Sequence, residues 1–380
     1  INGRPVSGGV SDRIGWRDVA RGGSVEVDVN GFLGDLGNQL PPTPENFIAL
    51  SSTIASHELG HMFGLRHHDA FGSPGEGVFS ALGGTAFLPY YEGDGAARET
   101  SDHLIASPAS VRTTLTDALG NPYFGEREAL KLSFAETGVS VLEYEDTSKT
   151  DLITVRNTVY PVQALGELPS LFVPNTIENP KAANYGIPLD AAAINVVGSI
   201  ELQGETSEND FYSFVATAGQ QVTVEVLSLS LRTRIDFTID SLVRVYDSEG
   251  NKLEYYGSPL GTFNDDGFEP KDSILLDVQI PADGTYFVEV DTFNFFIEEF
   301  PAYVPGFDVG AFCEGRDVDI RCNDTDTGDY EVLIYRFGAG NSTAAGDIVA
   351  GGSGNDTLVA SSGNDYFFAD DSDQIDGPAG

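Results

Sequence analysis

The sequence predicts a multidomain chain. An α+β segment (residues 1–138) leads through an extended connector (139–195) to an all-β sandwich (196–337) and a short parallel β-roll-like stub (338–380). Three observations predict this order. Apolar residues and histidines recur at three- and four-residue steps over 44–64, as on one helix face. Seven strand-like segments punctuated by glycine, asparagine and proline lie between 210 and 337. A nine-residue pattern starting at 351 repeats in register at 360.

In the first segment, Ser24 to Phe32 (SVEVDVNGF) alternates apolar and polar residues as a half-buried strand does. Thr43 and Pro44 then read as N-cap and first helical residue, because proline lacks an N–H that would be unpaired there anyway. The helix is expected from about Pro44 to Gly64. Phe47, Leu50, Ile54, His57 and His61 share its buried stripe, which places the two histidines in a cleft.

Four of the five histidines fall within HELGHMFGLRHHD, residues 57–69. His57 and His61, four apart, project from one helix face. Gly64 suits the left-handed conformation that ends a helix and reverses the chain, and the reversal brings back His67 as a third nitrogen. Three imidazoles with an open fourth position suit a catalytic zinc ion, and Glu58 then stands where it can take a proton from water. His68, next in sequence, is the alternative third ligand. The spacing HExxHxxGxxH resembles the metzincin family of zinc endopeptidases, matched at His57, Glu58, His61, Gly64 and His67. The resemblance implies one catalytic zinc, Glu58 as general base and protein or peptide substrates. It also implies a cleft between a sheet-and-helix subdomain and a more irregular one.

The family's methionine turn finds no methionine here, since Met62 lies inside the motif. DHLIASPAS (102–110) is the expected turn, with Ile105 at the methionine position filling the same apolar floor. His103 in that turn reads either as a substrate or zinc contact or as a hydrogen-bonded structural residue. Ser107 stands where several family members carry a tyrosine, and Tyr90 and Tyr91 are the nearby phenols. Only 56 residues precede His57 and the chain opens at Ile1. A signal peptide, a propeptide and part of the catalytic domain are therefore expected outside the sequence. GEREALKLSFAETG (125–138) sets Glu126, Ala129, Leu130 and Phe134 at helical steps and reads as the closing helix.

Residues 139–195 carry scattered prolines and no sustained period, hence the connector. Strands are expected at 210–216, 221–229, 240–247, 251–257, 272–280, 284–293 and 328–337, with Glu249, Gly250 and Asn251 as a hairpin turn. ENDFYSF, AGQQVTVEV, VYDSEGNKL, IPADGTYFVEV and GDYEVLIY resemble the bacterial pre-peptidase C-terminal domain. That resemblance implies a non-catalytic module that in some proteases binds calcium or matrix polymers. Asp210, Asp265 and Asp266 read either as carboxylates for a calcium ion or as ordinary loop aspartates. Cys313 and Cys322, in CEGRDVDIRC, pair as a local disulfide or remain two thiols.

GGSGNDTLV (351–359) fits the calcium-binding nonapeptide GGxGxDxUx, and ASSGNDYFF (360–368) repeats it without the paired glycines. These resemble the repeats that wind into a parallel β-roll, with Asp356 and Asp365 as the implied calcium ligands. From 341 to 380 there are seven aspartates and no lysine or arginine, so calcium is expected to order this end.

A formal net charge of −39 and a pI near 4.1 exclude nucleic acid and anionic membranes as partners. Calcium and salt suit that charge better, as does a simply solvated acidic surface. No apolar run is long enough to span a bilayer. The sequence thus reads as a secreted, bacterial zinc endopeptidase, with Zn2+ catalytic and Ca2+ structural. The second reading is a calcium-dependent protein that binds surface or matrix polymers and carries a vestigial peptidase part.

Overall fold

The structure is a computed structural model that describes residues 8–18, 22–36, 39–70, 104–105, 124–173, 189–256, 258, 260–266, 271–316, 318–338, 348–350, 357–359, 366–368 and 374–376. A small antiparallel pair, β1 (Gly8–Ser11) with β2 (Val25–Asp28), precedes helix α1 (Pro44–Met62) and a 3-10 turn at His67–Ala70. Helix α2 (Glu126–Thr137) follows. Thr43 caps α1, its hydroxyl accepting from the Asn46 N–H at 3.3 Å. Leu50 and Ile54 bury against Val29, whereas Phe47, one turn earlier, is half exposed at 51%. The small core under α1 ends before Phe47 reaches it.

The strands then continue as β3 (Val139–Leu142), β4 (Asp151–Val155), β5 (Thr158–Glu167), β6 (Ser170–Val173) and β7 (Leu189–Ile200). A minor pair, β8 (Leu202–Gln203) and β9 (Thr206–Ser207), leads to β10 (Asp210–Ala216) and β11 (Gln221–Leu227). Next come β12 (Ser241–Tyr246), β13 (Phe263–Asn264), β14 (Ile274–Gln279), β15 (Gly284–Thr292) and β16 (Gly328–Phe337). One sheet runs β13-β12-β15-β10-β5-β4, the other β14-β11-β16-β7-β3, with β6 also on β7. They face each other across a core that includes Val222, Val224, Val226, Val332 and Ile334 from one sheet and Phe214, Val243, Val245, Val288 and Val290 from the other. This is a β-sandwich.

The sandwich begins earlier than its sequence pattern predicts. Residues read as a connector form β3 to β7, and β7 is an inner strand that pairs with β16 over ten residues. Its sequence, LDAAAINVVGSI, does not alternate because both of its faces are buried. In the opposite sense, the described residues of 251–257 form a single isolated bridge, Tyr246 to Lys252. Tyr255 and Tyr256 there turn inward and donate to the Leu276 and Asp277 carbonyls at 2.9 and 2.6 Å. The expected turn does form: the Asp247 carboxylate accepts from the Glu249 and Asn251 N–H groups, and Gly250 has φ 79°.

The second sheet carries another layer on its outer face. Leu333, Tyr335 and Phe337 alternate with the inner Val332 and Ile334, and pack with Leu227, Ala191 and Ala193 against Trp16, Ala129, Leu130 and Phe134. Trp16 stacks on Phe134 with ring centres 5.6 Å apart and donates to the Glu331 carboxylate at 3.0 Å. Trp16 and α2 therefore share a hydrophobic core with the outer face of this sheet, distinct from the core between the two sheets and from the small core under α1.

Between β15 and β16 an insertion gathers Phe293, Phe295, Phe300, Phe307 and Phe312, and Cys313 is disulfide-bonded to Cys322. Arg244 of β12 ties the insertion down through Glu299, at 2.8 and 2.9 Å. Burial would raise the Glu299 pKa, but hydrogen bonds and charge from Arg244 and Lys252 outweigh it and hold it at about 2. A depressed carboxyl pKa stabilises fully above the unfolded value near 4.5 and loses that contribution as pH falls toward 2. Urea unfolding of the parent at pH 5.5 and pH 3 should therefore differ by more than that of Glu299→Gln, the gap being on the order of 2 kcal/mol. Equal pH slopes would contradict this ion pair's role.

Toward the C-terminus β17 (Ile348–Ala350), β18 (Thr357–Val359), β19 (Tyr366–Phe368) and β20 (Gln374–Asp376) pair in parallel, β17 with β19 and β18 with β20. Ile348 lies opposite Tyr366, two nine-residue steps further along. Asp356 and Asp365 lie outside the described residues.

Candidate metal centre

The helix α1 delivers His57 and His61 on its buried face, one turn apart, and both are about 7% exposed. The chain must then reverse. Gly64 takes φ 93°, and its N–H donates to the His61 carbonyl at 2.9 Å while the Leu65 N–H donates to Gly60 at 3.0 Å. A Cβ at Gly64 would lie 2.9 Å from the Trp16 Cα, so glycine is required by both conformation and space. The reversal returns His67 to the helix pair. Ring centres are 4.9 Å apart for His57 and His61, 5.4 Å for His57 and His67, and 4.8 Å for His61 and His67. One nitrogen from each ring lies within 4.8 Å of the others.

The geometry selects among the histidines. His68 points the other way, with its Nε2 3.2 Å from Glu225 of β11, so His67 and not His68 joins the helix pair. The Nδ1 atoms of His57 and His61 donate to the Leu104 and Leu65 carbonyls at 2.7 and 2.8 Å. A carbonyl only accepts, so this tautomer leaves both Nε2 lone pairs for a metal. Burial, with His61 and His67 nearby, lowers the His57 pKa to about 3. Three converging imidazoles, two of them with Nδ1 committed to carbonyls, fit a zinc ion.

Glu58 is buried beside this cluster, 6% exposed. Burial raises its pKa, against the opposing pull of His61 and of hydrogen bonds from the Ser11 backbone and side chain. A side chain at Gly9 would overlap the Glu58 carboxylate, so β1 lies directly on this carboxylate. A desolvated carboxyl with a raised pKa, held next to three imidazoles, is suited to accepting and returning a proton.

Ile105 is fully buried and packs with Leu65 and Ala70. Its Cδ1 lies 2.9 Å from where a Gly60 Cβ would be, so it fills the floor directly beneath the middle of the His57–His61 turn. Its N–H donates to the Glu128 carboxylate of α2 at 3.2 Å. Ile105→Met, similar in volume, should change stability by less than about 1.5 kcal/mol. A larger loss in urea unfolding would mean that this floor is more tightly shaped than its composition suggests. Ser107, Tyr90, Tyr91 and His103 lie outside the described residues.

The carboxylates read as one calcium site do not converge. Asp210 heads β10, while Asp265 follows β13, and β15 and β12 separate those strands. Asp210 groups instead with Asp146 and Glu208 and is already 2.9 Å from the Lys149 ammonium. Asp266 accepts from the Lys271 N–H at 2.5 Å. Lysine and backbone donors thus meet two of these three aspartates.

A second buried cluster lies beneath the 3-10 turn and was not legible as a site. Lys131 of α2 is 2.8 Å from Asp69 and 2.6 Å from Glu225, and Arg66 is 3.4 Å from Asp272. All five side chains are fully buried. Burial would raise the Glu225 pKa, but Lys131, His68 and Arg66 together push it well below the usual carboxylate range. Arg127 of α2 pairs with Asp277, which takes φ 53° at a bulge of β14 against β11.

Among known proteins, the chain is 32% identical over 124 residues to a probable subtilase-type serine protease of Deinococcus radiodurans. The match covers 32% of this chain and 14% of that relative's length. Two solved structures align with 46% of the chain. They are a periplasmic inhibitor of g-type lysozyme from Aeromonas hydrophila (12% identity, TM-score 0.22, 96% of that chain) and the pre-peptidase C-terminal domain of a collagenase from Bacillus anthracis (11%, 0.20, 93%). Residues 208–292, from just before β10 to the end of β15, match the family model of the bacterial pre-peptidase C-terminal domain. The sandwich therefore contains such a domain, completed on its flanks by β16 and by strands from the preceding residues.

Proposed function

We propose that the chain is a secreted zinc-dependent endopeptidase of metzincin type, with His57, His61 and His67 as metal ligands and Glu58 as general base. The observation that carries this reading is the convergence of three imidazoles, two with Nδ1 committed to carbonyls, beside a buried glutamate. A bound zinc ion would supply Lewis acidity toward a scissile carbonyl and the attacking water. Glu58 takes the proton of that water and passes it to the leaving amine, and its desolvation brings its proton affinity closer to what both transfers need. The Leu104 and Leu65 carbonyls fix the ring orientations, so ligand geometry is set before substrate arrives.

The relative from Deinococcus radiodurans and the pre-peptidase C-terminal domain support a peptidase and an exported protein. Among the described residues no helix is long and apolar enough to cross a membrane. The relative's serine chemistry belongs to that protein, and the chain spans only 14% of it. Calcium, held through Asp356, Asp365 and neighbouring turn carbonyls, is the proposed structural ion of the C-terminal repeats, a reading supported by the parallel pairing two repeats apart. Hydrolysis of casein by the purified protein decides between the chemistries. Loss of activity with 1,10-phenanthroline, recovery with added zinc and indifference to a fluorophosphonate are expected; inactivation by the fluorophosphonate alone would overturn the zinc reading.

A further inference from the structure

We propose that the sandwich is a working part of the metal centre, because Glu225 and Asp272 position the third ligand, His67. This rests on the zinc reading above and goes beyond it, since it makes an accessory module responsible for ligand geometry. His57 and His61 are set by α1, whereas His67 lies beyond the end of that helix, in the 3-10 turn His67–Ala70. Two carboxylates of the sandwich brace this turn. The two residues flanking His67 both bury their side chains against the outer face of the second sheet: Arg66 reaches Asp272 at 3.4 Å, and His68 reaches Glu225 at 3.2 Å. With both neighbours drawn into the sheet, His67 is presented toward the helix pair.

The turn is braced twice more. The Asp69 carboxylate accepts from the Arg66 N–H at 2.7 Å, closing the loop around His67, and Lys131 links Asp69 to Glu225. Asp272 is itself oriented by the Ser228 and Ser230 N–H groups at 2.6 and 3.0 Å. Charged pairs buried in this way are directional, so they hold a backbone to one placement more strictly than apolar contacts do. Glu225 and Asp272 touch neither metal nor substrate and are positioning residues.

The test uses the full chain. Glu225→Gln keeps the size and removes the charge, and should weaken zinc binding, read by competition with a chelator, by about 10- to 100-fold, the range for residues that orient ligands. Asp272→Asn should do the same more mildly, and Glu225→Asp should recover part of the affinity. Amide exchange in the metal-free protein supplies a readout independent of zinc: residues 65–70 should exchange at least about 10-fold faster in Glu225→Gln, while residues 50–56 of α1 keep their parent rates. Should Glu225→Gln fail to fold, Asp272→Asn is read by the same two measurements. A parent protein without zinc would remove the zinc reading alone, and the exchange comparison would still decide the positioning role. Parent-like zinc affinity together with parent-like exchange in a folded variant would overturn the proposal.

Discussion

Glu58→Gln is expected to lower casein hydrolysis by about 10²- to 10⁴-fold while zinc stays bound, because the amide keeps the size of the carboxylate and loses its proton affinity. The protein should stay folded. Glu58 is buried and desolvation, the largest influence on it, opposes its charge, against the favourable pull of His61 and Ser11, so a neutral replacement relieves a cost. Turnover should fall with little change in KM, since Glu58 acts in the chemical step and not in holding the peptide. Hydrolysis at the parent rate would remove Glu58 from the mechanism.

Lys131→Met is expected to cost about 3–5 kcal/mol in urea unfolding, because it leaves two buried carboxylates, Asp69 and Glu225, short of their shared cation. Methionine keeps most of the stem's packing, so the loss isolates the charge. The exposed pair Arg336 and Asp190, 3.5 Å apart with Asp190 68% exposed, provides the contrast. Arg336→Gln should cost less than about 1 kcal/mol, as screened surface pairs do. A Lys131→Met cost below that level would mean that Arg66 compensates the cluster alone.

The parts of the chain legible in sequence are those whose signal is local. Thr43, Pro44 and the histidine spacing place α1, and Gly64 marks its end, because capping and left-handed turns depend on neighbouring residues. Strands β10, β11, β12, β14, β15 and β16 alternate or lie between turn residues, and the structure sets each within two residues of its expected span. What was missed depends on distant partners. β7 reads as an unpatterned run because its second face is covered by α2 and Trp16, and its partner β16 lies far downstream. Arg66, Lys131 and Glu225 carry no sequence signal of a site, since nothing nearby in sequence announces that each is buried against another. Gly60 carries no sequence pattern, and Ile105 and Leu65 packed against it explain the missing side chain. Phe47 kept the helical step yet stayed exposed, as the core under α1 reaches only to Leu50.

Metal content of the purified full chain tests the central claim most directly. After dialysis, and with its one tryptophan, Trp16, still emitting as a buried residue, the protein should carry about one zinc per chain, and His67→Ala should lose it. A folded chain that holds no zinc, or one that holds it equally well without His67, would contradict the assignment.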